Sequence, residues 1–98
     1  MDHALAKAVE LLTAEITTGS MPDSSLPGVQ EAIATLRAGE SNDQVLKILW
    51  WRRKMTRTTA NETGQEDDIE RACAYYDVLE QIDPEFGHFC REDSFHYP

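Results

Sequence analysis

The stretch Ser41–Met55, SNDQVLKILWWRRKM, decides how this chain is read. Its apolar residues recur at helical spacing. On a wheel of about 100° per residue with Val45 at zero, Leu49 falls at about 40°, Leu46 at about 100° and Trp50 at about 140°. On the other side Ile48 falls near about 300°, Met55 near about 280° and Trp51 near about 240°. Only Lys47 and Lys54, near about 200° and 180°, mark a polar side. A surface helix needs an apolar stripe of only about 100°. Here the apolar arc covers well over half the circumference. The helix is therefore either the centre of a bundle or shared between the fold and a second chain.

Its start carries Ser41 and Gln44 in capping-box spacing, with Asp43 where the helix dipole favours negative charge. The spacing predicts a helix through Met55. The following TRTTANETGQ, residues 56–65, holds four threonines, Asn61 and Gly64, all weak helix formers, and reads as a loop or frayed end and a hinge.

Three further helices flank this one. The first is expected from Asp2 to Ile16, with Asp2 as N-cap and Leu5, Val9, Leu12 and Ile16 as a narrow stripe. Gly19 and Pro22 end it. The second starts near Ser25, with Ser25 as cap and Pro27 in the first turn, buries Val29, Ile33 and Leu36, and closes at Gly39. The fourth runs from about Gln65 to Ile82. Ile69, Ala72, Cys73, Tyr76, Leu79 and Ile82 share its spacing, and Glu66, Asp67 and Asp68 fill its first turn. Asp83-Pro84 ends it. The tail beyond contains Phe86, Phe89, Phe95 and Tyr97 and is expected to fold back over the bundle. The expected architecture is all-α, one domain over residues 1–98: a small bundle of about four helices with an aromatic C-terminal tail.

Composition fits a globular chain, with 41% hydrophobic and 28% charged residues in 98. No apolar run reaches the roughly 18 residues of a membrane span. The opening MDHALAKAVELL lacks the basic start and apolar block of a signal peptide, so a cytoplasmic location is expected, with Cys73 and Cys90 as thiols. The net charge is −9, which argues against nucleic-acid binding. Residues 47–57 nevertheless carry +5 and no acid; the remainder, with 4 basic and 18 acidic residues, carries −14. Cations at the end of a helix suit its dipole and can pair with the acids of residues 62–70.

No catalytic or cofactor motif stands out. Cys73, His88, Cys90 and His96 are potential metal ligands, but they lack the paired C-x-x-C and H-x3–5-H spacing of zinc sites. Cys73 reads instead as a small buried thiol. The five glycines are scattered and form no phosphate loop. No metal, cofactor or catalytic residue is assigned. Tryptophan and arginine are enriched at binding hot spots. The partner-binding candidates are therefore Leu46, Leu49, Trp50, Trp51, Arg53 and Met55, with one indole expected to face another protein or a second copy of the chain.

In size, acidity and helix content the chain resembles small bacterial and phage antagonist proteins. The matching features are the charge balance over the whole chain and the apolar face of residues 45–55. One such group is the quorum-sensing anti-activators, which cover a surface of a transcription regulator. Another is the anti-CRISPR and other DNA-mimic inhibitors, which set carboxylates where phosphates would lie. The resemblance implies a non-enzymatic antagonist or regulator that binds a protein. The alternatives are a DNA mimic presenting carboxylates between Glu62 and Glu85, and a metal or thiol enzyme centred on His88, Cys90 and His96.

Overall fold

A computed structural model describes residues 3–82 and 84. These residues form four α-helices and one 3-10 turn, with no strand among them: α1 (His3–Thr18), the 3-10 turn (Asp23–Ser25), α2 (Leu26–Arg37), α3 (Asp43–Thr63) and α4 (Glu66–Ile82). The expected all-α bundle is what forms. The aromatic tail lies outside the described residues, as does the Asp2 cap.

The helices make a closed ring of neighbours, α1 against α2, α2 against α3, α3 against α4, and α4 back against α1. The helices α1 and α3 thus face each other across the diagonal. With neighbours on two sides, α3 buries Val45, Ile48, Leu49, Trp50, Trp51, Arg52, Thr56 and Ala60. This accounts for its wide apolar arc within one chain. At 21 residues it is about 32 Å long, close to the 34 Å longest dimension of the molecule.

Two local expectations at α3 are corrected. Its cap is Asn42, one residue later than the Ser41–Gln44 box: the Asn42 side chain accepts a bond from the Val45 N–H at 2.9 Å. Asparagine caps at least as well as serine, and this choice leaves Asp43 at the first helical position beside the dipole's positive end. The threonine-rich stretch is not a hinge but two more turns of helix. Thr56 and Ala60 are buried, so tertiary packing outweighs weak propensity there. The Thr56 and Thr58 hydroxyls donate to the carbonyls of Arg53 and Lys54, at 3.1 and 3.0 Å, and so remain inside the helical pattern. The helix stops at Gly64, whose φ of 65° is left-handed and whose N–H closes on the Ala60 carbonyl at 2.8 Å.

The ends of α1 and α2 lie at Gly19 and Gly39 as expected, both with positive φ. Ser25 does not cap α2 with its side chain. Its hydroxyl donates to the Pro22 carbonyl at 2.7 Å and ties down the 3-10 turn instead.

The corrected cap is open to a direct check. Asn42→Ala should lower stability by about 1 kcal/mol in urea denaturation, while Ser41→Ala should leave the midpoint nearly unchanged. A larger loss at Ser41 would restore the capping-box reading.

Candidate functional site

Two groups of side chains stand apart from ordinary packing. The first is internal. Glu15 of α1 and Arg52 of α3 are 1% and 5% exposed. They meet across the diagonal through two parallel bonds, Arg52 Nε to Glu15 Oε2 at 3.1 Å and Nη2 to Oε1 at 2.7 Å. The Tyr75 hydroxyl of α4 donates to the same Oε2. Arg52 also lies over the Trp51 ring, 4.7 Å from its centroid. One carboxylate therefore joins three helices.

Sequence reasoning missed this cluster, although its signal was present. On the wheel used above, Arg52 falls at about 340°, inside the apolar arc between Ile48 and Val45. Glu15 follows Leu12 by three residues and Ala8 by seven, on the inner stripe of α1. Arg52 is thus in the middle of its helix, paired with a distant acid. It does not sit at a C-terminus facing the dipole, because α3 continues to Thr63.

Burial, followed by the Glu15 charge and its hydrogen bond, pushes the Tyr75 phenol far above the ordinary tyrosine value. With its polar atoms closed off from solvent and engaged with one another, the cluster is suited to holding the helices together. It offers no access to a ligand.

The second group is open. A groove of about 350 Å³ runs between α3 and α4, walled by Arg53, Arg57 and Ala60 on one side and Ile69, Cys73 and Tyr76 on the other. Three large hydrophobic side chains are exposed among the described residues, and two of them, Ile69 at 46% and Tyr76 at 39%, line this groove. The Arg53 guanidinium stacks over the Tyr76 ring, 5.1 Å from its centroid. Burial, then repulsion from Arg57, lowers the Arg53 pKa below the usual arginine value, while Tyr76 and Cys73 act in the opposite sense. An arginine still stays charged at neutral pH.

The groove arises from the rotation of α4. Its buried face is Tyr75, Val78 and Leu79. Of the expected row of Ile69, Ala72, Cys73, Tyr76, Leu79 and Ile82, Leu79 is buried and Ile82 packs against the core, whereas Ile69, Cys73 and Tyr76 are exposed. These three lie about 100° or more round the helix from Tyr75 and become a wall. Cys73 is accordingly exposed rather than buried.

The predicted contact residues are dispersed. Leu49, Trp50 and Trp51 are core, at 0%, 2% and 8% exposed, so neither indole faces outward. Leu46 packs against the same core. Met55 is 41% exposed but does not border the groove, leaving Arg53 as the predicted residue that does. Of the proposed metal ligands, His88, Cys90 and His96 lie outside the described residues. Among those described, no three acids, histidines or cysteines cluster as a metal site, and no helix is long and apolar enough to cross a membrane.

Comparison with family models, curated proteins and solved structures finds no match to this chain.

The internal cluster predicts a pH effect of definite sign. The folded protein holds the Tyr75 proton more tightly than the unfolded chain does, so this contribution to stability is complete below about pH 10, the ordinary tyrosine pKa. It falls away as pH rises above that value. Denaturation between pH 8 and 12 should show a steeper alkaline loss in the native sequence than in Tyr75→Phe. At neutral pH Tyr75→Phe should cost about 1–2 kcal/mol, and Glu15→Ala, which strands a buried arginine, about 3–5 kcal/mol.

Proposed function

We propose that this protein is a non-enzymatic binding protein that acts as an antagonist or regulator, covering an interaction surface of another protein such as a transcription regulator. The observation that carries the reading is the α3–α4 groove. It gathers two of the exposed large hydrophobic side chains beside Arg53 and Arg57, on a chain whose net charge is −9.

The chemistry of the walls indicates the partner. Ile69 and Tyr76 offer apolar surface to an aliphatic or aromatic anchor. Arg53 and Arg57 outnumber the one groove carboxylate, Asp77, and would attract an acid next to that anchor. A partner segment with one apolar anchor and one or two adjacent carboxylates fits. A long acidic segment does not, because the rest of this surface would repel it. The two tryptophans are buried in the core and contribute no contact surface of their own.

Capture from host lysate, followed by titration of the purified partner, tests the reading. Ile69→Ser and Arg57→Glu should each weaken binding about tenfold or more while leaving the melting temperature within a few degrees. Trp51→Ala should instead lower stability by about 3–5 kcal/mol. Undiminished binding by both groove variants would place the contact elsewhere.

A further inference from the structure

We propose that the α3–α4 face pairs with the same face of a second copy of this chain, forming a weak two-fold dimer. The dimer takes the groove as a contact, as the proposed function does, but it needs no second protein. Its ground is the way charge is divided across the face. On the wheel of α3 used above, Arg53 and Arg57 fall at about 80° and 120°, next to the groove, and Lys54 and Lys47 at about 180° and 200°. Residues 47–57 hold no acid. On a wheel of α4 with Tyr75 at zero, Tyr76 and Ile69 fall at about 100° and 120°. Beyond them lie Glu80, Glu66, Asp77 and Glu70, at about 140°, 180°, 200° and 220°, all exposed. One helix is thus basic on its outer side, its neighbour is acidic, and an apolar seam of Ile69 and Tyr76 runs between them.

Such a face is complementary to itself. A two-fold axis laid along the seam, parallel to the helices, sets α3 of one copy over α4 of the other, and symmetry supplies the reverse contact. An axis laid across the helices would set α3 over α3 and oppose like charges. The register agrees. Only Gly64 and Gln65 join α3 to α4, so the two run antiparallel. The Arg53 guanidinium over Tyr76 fixes their levels, and equal steps in opposite directions put Arg57 level with Ala72. An axis parallel to the helices preserves these levels. Lys54 then stands within about 3 Å, measured along the helix, of the partner's Asp77, and Arg57 within about 3 Å of the partner's Glu70. Two helices abreast span about 18 Å, and α4 at 17 residues is about 26 Å long. The pair therefore buries about 1,000 Å² in total, the lower end for a specific interface, so association is weak and reversible. The charge of −9 on each copy opposes it at long range. At 0.1 M salt the screening length is about 10 Å, so acids on the far sides of molecules at least 26 Å thick contribute little.

Sedimentation velocity of the full-length chain, from about 1 to about 500 µM, should show a reversible shift from monomer to dimer. Two charge-reversed variants then identify the face. One carries Lys54→Glu and Arg57→Glu, the other Glu70→Lys and Asp77→Lys, at sites outside the buried core. Each variant alone opposes like charges in both halves of the interface and should self-associate about tenfold or more weakly. An equimolar mixture restores opposite charges in both halves and should dimerise as the native chain does, which also shows that both variants are folded. Ile69→Ser, on the exposed seam, is a further variant and should also weaken the dimer. A native chain that stays monomeric at about 500 µM would overturn the proposal. So would a native dimer that Ile69→Ser leaves intact, or a mixture of variants with native melting temperatures that remains monomeric. Loss of partner-protein binding in Ile69→Ser and Arg57→Glu, with a native chain that is monomeric, would uphold the binding function and reject the dimer. A dimer rescued in the mixture, with partner binding undiminished in those two variants, would do the reverse.

Discussion

Glu15, Arg52 and Tyr75 form the contact on which the arrangement of the four helices depends. Taking a carboxylate and a guanidinium out of water costs several kcal/mol for each ion. The cost is offset only when the fork of the guanidinium meets both carboxylate oxygens, as it does here at 2.7 and 3.1 Å. An apolar core tolerates small slides between helices. This pair does not, since a slip of one turn, about 5.4 Å, would leave both charges buried and apart. Its contribution is therefore positional: it sets α1 against α3 across the diagonal, where the two helices share few backbone contacts.

The third member sets the rotation of α4. Because the Tyr75 hydroxyl reaches Glu15, Tyr75 must point inward. The next residue, Tyr76, then lies about 100° further round and faces outward beside Arg53. Ile69 and Cys73 share that outer side. The internal cluster and the open groove are thus two consequences of one helix orientation. The spine α3 contributes to both, with Arg52 pointing to the core and Arg53 pointing to the groove.

This arrangement also keeps the apolar surface that stabilises the bundle apart from the groove proposed as a contact. The large aromatic surface of Trp50 and Trp51 is consumed inside the bundle, where it fills the space between α3 and its neighbours. What remains outside is a modest apolar strip bordered by cations on an otherwise acidic chain. Apolar contact there provides attraction without fine selectivity. The arginines favour an acid beside the apolar anchor, and the surrounding carboxylates exclude extended acidic chains. On the proposed binding role, the walls would favour short segments over long ones.

The helices themselves, apart from the last two turns of α3, were legible in the sequence, because their periodicity, the glycines at 19 and 39 and the prolines at 22 and 27 act over a few neighbouring residues. The width of the α3 arc correctly implied packing on two sides. It could not say whether this chain or another supplied that packing, which is why an outward-facing tryptophan was expected and both proved internal. The threonine-rich stretch was misread for a related reason: its propensity is local, while the burial of Thr56 and Ala60 depends on α4 lying alongside. Arg52 and Tyr75 lie 37 and 60 residues from Glu15 in the chain. Patterning marked a charge on each of two apolar stripes, but only tertiary structure brings those charges together. The groove depends on the same step, since it follows from how far α4 turns, and that turn is decided by a contact between side chains distant in sequence.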